Sequence, residues 1–307
     1  MTMKAARFHE YGDVEQIVLE EVEEPVPQEG ELSVRVRAAG VNPIDWKILH
    51  GAVSGDQPLM EPRGLGFDVA GVVEETGPGV ERFVAGDEVL GIPAGPAFAE
   101  FVLARPEGLV AKPPALPWEI AGGLGVVAGT AYATLERLAL QPGETLVIAG
   151  ASGGVGSLAT QLAVARGVRV LGTASAAKAE QVRALGATPV AYGEGLPERL
   201  RAAAPDGADA ALDASGHREL AALVELAGGT RRVLSIAAYG EASELGVEFH
   251  AGGGGEHERA ALEEVLQLRD AGRISFPVAG VFELSRVGEA LRESEHGHPV
   301  GKLVVMP

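Results

Sequence analysis

The stretch 145–167, TLVIAGASGGVGSLATQLAVARG, sets four glycines between an apolar run and an amphipathic helical pattern. No other feature of the chain narrows its fold as much. A glycine-rich turn between a strand and a helix lets the backbone come very close to its ligand. The free amides and dipole at the helix start favour an anion. The dinucleotide fingerprint at such a turn is Gly-x-Gly-x-x-Gly. Here it reads Ala151-Ser152-Gly153-Gly154-Val155-Gly156, with alanine in the first place. Gly153 would let a pyrophosphate touch the backbone, and Gly156 would let the helix pack on its strand. The plain alternative is a tight turn that needs glycine for its own shape.

The surrounding pattern extends this unit into a domain. Short apolar runs at 145–150, 168–174, 188–192, 208–214 and 231–237 alternate with helical segments. That alternation predicts a doubly wound parallel sheet. Residues 1–118 read differently. The segments 31–41, 68–77 and 86–92 are short, β-branched and bounded by Gly or Pro, which suits a β-rich, barrel-like unit. After an amphipathic helix at 257–272, the runs 274–284 and 300–307 return to short strands. The expected organisation is a β-rich domain of residues 1–120 and 270–307, with an α/β domain of residues 121–269 inserted. The glycine run within 251–258 is expected to be a loop, not a phosphate cradle.

Composition excludes several functions. The 307 residues carry a formal charge of −18, so nucleic acid and anionic membrane are not the expected partners. There is no cysteine, which removes disulfides, thiolate catalysis and Cys-containing zinc sites. No apolar leader or membrane-spanning run is visible, and a cytoplasmic protein is expected. His296 and His298, beside Glu293 and Glu295, are read as a solvated polar turn before the last strand, and no metal site is expected.

The end of the second strand bears on the ligand. Sites for NAD usually carry an acid there to hold the adenosine ribose. The stretch GTASAAKAE has none from 168 to 179 and offers Thr173, Ser175 and Lys178 instead. Two hydroxyls and an ammonium suit a 2′-phosphate, so NADPH is the expected cofactor. Lys178 can also be read as an ordinary exposed helix residue.

These residues belong to a longer colinear series. AAGVNPIDWK (38–47), GFDVAGVVEETGPGVERFVAGDEVLG (66–91), FAEFV (98–102), GTAY (129–132), GASGGVG and GHPVGKLVV (297–305) together resemble the medium-chain dehydrogenase/reductase superfamily. The chain is most similar to the zinc-free quinone oxidoreductase, or zeta-crystallin-like, branch. The resemblance implies a groES-like barrel domain plus a Rossmann domain. It puts Asn42 and Phe67 where zinc members place Cys and His ligands, so it implies a zinc-independent enzyme. It implies that Asn42 and Thr130 lie against the nicotinamide ribose and ring, with Asn42 offering its amide to a substrate oxygen. Ser152, Gly153, Gly154, Val155, Gly156, Thr173, Ser175, Lys178, Tyr192 and Ala237 are implied to contact the rest of the cofactor. Turn, cap or strand roles for Asn42, Thr130 and Tyr192 remain open at this point.

Many members of the branch carry a tyrosine soon after the Asn-Pro-x-Asp element, but WKILHGAVSG has none. Lys47 and His50 are the nearby polar candidates for a catalytic role. The activity implied is hydride transfer from NADPH to quinones or similar electrophilic carbonyl compounds. An enoyl or enone reductase, and a non-enzymatic NADPH-binding protein, are the alternatives. A homodimer through a strand edge near 245–250 is also implied.

Overall fold

The structure is a computed structural model and describes residues 1–53, 58–252, 257–297 and 299–307. The chain divides into two units. The first comprises Met1–Val126, Glu258–Glu263 and Phe276–Pro307; the second comprises Val127–His257 and Glu264–Ser275. Among the described residues no helix is long and apolar enough to cross a membrane.

The first unit is built on two sheets. In the smaller, β1 (Thr2–Phe8) lies between β2 (Ile17–Glu23) and β4 (Arg63–Gly64). The larger contains β3 (Leu32–Gly40), β5 (Val69–Thr76), β6 (Glu88–Gly91), β7 (Phe101–Ala104), β8 (Leu109–Ala111), β15 (Val278–Glu283) and β16 (Lys302–Met306). Its order is β15-β16-β3-β5-β6-β8, with β7 pairing with β3. The apolar alternation at 31–41 thus forms a strand, and every residue of its last turn toward Asn42 (Ala38, Ala39 and Gly40) is buried. Strand β16 runs antiparallel to β3, with Val305 opposite Ala39 and Val304 opposite Gly40. That register brings Lys302 toward the Gly40–Asn42 corner.

One sequence expectation fails here. The residues before β16 form a helix, Val287–His296, rather than a polar turn. Its buried residues Val287, Ala290 and Leu291 fall at i, i+3 and i+4, the spacing of one helix face. Glu293, Glu295 and His296 are therefore helical, whereas His298 lies outside the described residues.

The second unit is the parallel sheet that the alternation predicts. Strands β9 (Thr145–Ala149), β10 (Arg169–Ala174), β11 (Thr188–Ala191), β12 (Ala210–Asp213), β13 (Val233–Ser235) and β14 (Glu248–Phe249) lie in the order β11-β10-β9-β12-β13-β14. All of its strand pairs are parallel. Strand β9 is central and every residue in it is buried, as a strand covered on both faces requires. The order reverses between β9 and β12. Ligands of such sheets bind at the carboxyl ends of the strands beside this switch point.

Candidate cofactor and active site

The glycine turn leaves β9 at Gly150, which adopts φ +75°, and enters the helix Gly154–Ala165. Gly153 is the N-cap and has no side chain to satisfy the first helical amides. A Cβ at Gly153 would meet only the Gly150 carbonyl, at 3.4 Å, so the space in front of the helix is open. A Cβ at Gly156 would run into the Gly150 carbonyl and come within 3.1 Å of the Ala151 Cα. The two glycines thus do different things. Gly156 permits close packing, and Gly153 leaves the space before the helix open. An uncapped helix start behind an open glycine fits a dinucleotide pyrophosphate.

The end of β10 corrects part of the sequence reading. Thr173 was expected to face a 2′-phosphate, but it is buried. Its hydroxyl donates to Glu219 Oε2 at 2.8 Å and accepts the Gly150 amide at 3.2 Å. Burial pushes the Glu219 carboxyl up, and the Thr173 hydroxyl pulls the other way. Ser175 and Lys178 flank the short turn beyond the strand and are half-buried. Tyr192 is 47% exposed just after β11 and stacks on His217. The Ala237 amide donates to Ser235 Oγ at 3.3 Å, beside the end of β13. The Ser152 carbonyl accepts Gln181 Nε2 at 3.4 Å. Val155 occupies the first turn of the helix after Gly154.

In the first unit, Asn42 anchors a buried polar cluster. It is the N-cap of the helix Pro43–Leu49, and Asp45 ties that corner together: Asp45 Oδ2 accepts the Asn42 amide at 2.7 Å, and Asp45 Oδ1 accepts the Gly66 amide at 2.9 Å. Asn42 Nδ2 donates to Asp68 Oδ2 at 2.9 Å and to the Gly40 carbonyl at 3.4 Å. Asn42 Oδ1 accepts from Lys302 Nζ. Lys302 also pairs with Asp68 Oδ2 at 3.1 Å, and Asp68 Oδ1 accepts the Val126 amide at 2.5 Å. Lysine can only donate, so the side-chain oxygen of Asn42 must face it. Both amide hydrogens then point inward. The expectation that Asn42 donates its amide to a substrate oxygen is revised: its amide donates instead to Asp68 and to the Gly40 carbonyl. The partners Asp68 and Lys302 were not singled out from the sequence.

Burial raises the Asp45 carboxyl to about 7, against the pull of its two backbone donors. The native state therefore keeps a proton that the unfolded chain releases. Stability from this group falls as pH climbs from about 4 to about 7 and is flat above that, by on the order of 4 kcal/mol in full. Asp45→Asn should flatten that part of the profile. Urea denaturation of both proteins from pH 4 to pH 8 measures the difference, and parallel profiles would remove Asp45 as its source.

Thr130 lies in the helix Gly125–Leu138, is buried, and sits where a Cβ on Gly252 would meet its Oγ1 at 3.0 Å. Lys47 is not drawn into the Asn42 cluster. Its ammonium lies 5.6 Å from the centroid of the Trp46 ring. His50 lies between Asp13 and Glu295, at 3.8 and 3.7 Å. Among the described residues no group of three or more acids and histidines forms a metal cluster.

Two family models match the chain: the alcohol dehydrogenase GroES-like domain over residues 28–133, and the zinc-binding dehydrogenase domain over residues 154–251. The chain is 33% identical to an NADPH-dependent alkenal/one oxidoreductase, chloroplastic, of Arabidopsis thaliana, across 99% of this chain and 80% of that protein. It is 34% identical to a human quinone oxidoreductase, across 59% of this chain and 55% of that protein. The crystal structure of an alcohol dehydrogenase superfamily protein from Novosphingobium aromaticivorans superposes with a TM-score of 0.87 at 31% identity, covering 99% of each chain. With the glycine turn, the parallel sheet and the groES-like unit in place, the chain belongs to the medium-chain dehydrogenase/reductase superfamily, in its quinone oxidoreductase-like branch.

Proposed function

We propose that this chain is a zinc-independent, NADPH-dependent reductase of conjugated carbonyl compounds, either quinones or α,β-unsaturated ketones and aldehydes. The observation that carries the cofactor assignment is the open, uncapped helix start at Gly153 beside a strand end that has no acid. When bound, NADPH supplies the hydride. The chain's own residues hold and orient it: the amides after Gly153 for the pyrophosphate, Ser175 and Lys178 for the 2′-phosphate, and Thr130 for the nicotinamide half. Relatives named for alkenals or enones and relatives named for quinones both match the chain, and both substrate classes are electrophilic enough to be reduced without a metal. Zinc independence is supported by the donor set. Asn42 and Phe67 offer no strong zinc ligand, and the ammonium of Lys302 already holds Asp68. We place the enzyme in the cytoplasm as a homodimer joined along β14. That strand is the outermost of its sheet, and beside it Tyr239, 70% exposed, packs edge-on against Phe249.

The test is NADPH oxidation with 1,4-naphthoquinone, a 2-enone and an enoyl thioester, with NADH run in parallel. No turnover of any of them despite tight NADPH binding would reduce the protein to a cofactor binder. A companion measurement tests the phosphate contact. Lys178→Ala should raise the KM for NADPH by roughly 10- to 150-fold while leaving that for NADH nearly unchanged. Half-burial and salt screening place the effect toward the lower figure. Equal losses for both cofactors would point to a docking or folding defect instead.

A further inference from the structure

We propose that His250 is a positioning residue: as a neutral ring it seats the residues that follow β14 against Thr130, and on taking up a proton it releases them. The link to catalysis rests on the reading of Thr130 above. His250 comes directly after β14 and continues its ladder, since its amide donates to the Ser235 carbonyl of β13 at 2.9 Å. Phe249, one residue earlier, packs against the apolar core that Leu220 and Leu223 help to form. Side chains alternate along a strand, so His250 and Glu248 belong to the opposite face of the sheet.

On that face lies the helix Gly125–Leu138. Its Arg137 pairs with Glu248. Its Thr130 Oγ1 lies 3.0 Å from where a Cβ on Gly252 would stand. Thr130 and Arg137 stand at i and i+7, so they share one face of that helix, about 10 Å apart along its axis. Residues 248–252 therefore run along this face, and His250 is at their midpoint.

Among the described residues, the Nε2 atom of His250 is buried without a hydrogen-bond partner. The bare nitrogen of a neutral ring tolerates this. The N–H of an imidazolium would be a buried, charged donor with no acceptor. The charged groups that bear on the ring are Arg137 from the helix and Glu248 from its own strand, and β13 contributes the Ser235 carbonyl that the His250 amide already occupies. Burial first, and the Arg137 guanidinium second, hold the imidazole below its ordinary value, against the pull of Glu248. A released His250 takes up its proton near pH 6.5, at about the ordinary value, and the seated ring only at lower pH. The seat is therefore fully held above about pH 7.5 and weakens as pH falls through about 6.5.

Hydrogen exchange of the His250 amide in the full chain, corrected for the intrinsic rate at each pH, reads the seat directly. From pH 7.5 to pH 5.5 its protection should fall by about three- to ten-fold, ten-fold being the limit for release coupled to one proton over that span. His250→Phe and His250→Gln carry no titrating ring, and the amide at this position should keep a flat profile in both. A flat wild-type profile, or a fall of the same size in either variant, would overturn the proposal. Saturating NADPH should raise the protection of the wild-type amide by about ten-fold or more. An amide that opens in acid but is indifferent to bound NADPH would uphold the seat and remove Thr130 from the cofactor reading. A wild-type protein that does not bind NADPH at all would overturn the cofactor reading itself.

Discussion

Gly153→Asp is expected to bind NADPH at least 100-fold more weakly while melting at or slightly above the wild-type temperature. The two effects have opposite signs because they arise from the same position. Gly153 has extended backbone, φ −80° and ψ 177°, which any residue can adopt, and open space at its Cβ. Aspartate is among the best N-cap residues and would satisfy helical amides that are now free. Its carboxylate would then sit where the pyrophosphate is expected, which replaces attraction by exclusion and repulsion. Gly156→Ala should do the reverse and lower the melting temperature, because its methyl meets the Gly150 carbonyl and the backbone of Ala151. Titration with NADPH and thermal melts of both variants decide the matter. A folded Gly153→Asp protein with wild-type affinity would show that the turn serves only packing.

Lys302→Met should destabilise the protein by about 3–5 kcal/mol, the usual result of stranding one member of a buried ion pair. Asp68 is fully buried and Lys302 is 5% exposed, so neither charge can turn to water. Removing the ammonium leaves Asp68 with the Val126 amide and the Asn42 amide alone. The double variant Asp68→Asn/Lys302→Met should recover most of the loss, since no uncompensated charge remains. Urea denaturation at neutral pH measures all three. A cost below about 1 kcal/mol for the single variant would mean that water or a shift in protonation replaces the lysine.

What the sequence disclosed follows from the range of the interactions involved. The glycine turn and the strand–helix alternation were legible because their signals are local and periodic. The helix Val287–His296 was missed although its i, i+3, i+4 apolar set is present, because the charged and histidine-rich end of the segment drew the reading toward a turn. Thr173 was misplaced for a different reason. Side chains alternate along a strand, and a hydroxyl near a phosphate site can as well point into the protein, here toward Glu219. The Asn42 cluster could not be assembled from the sequence at all. Lys302 and Asn42 are 260 residues apart, and Asp68 lies 26 residues from Asn42. The registers of β16 and of β5 on β3 join them.

That pairing has a consequence for biosynthesis. Nearly all of the second unit is one continuous run from Val127 to His257, so it can fold as it leaves the ribosome. The first unit begins earlier but cannot close its larger sheet until β16 has been translated. At ordinary elongation rates the ribosome needs roughly ten to thirty seconds to travel from Val126 to Lys302. Through that interval the Ala39–Gly40 end of β3 has no β16 beside it and Asp68 has no lysine, so the first unit is completed only when the last strand arrives.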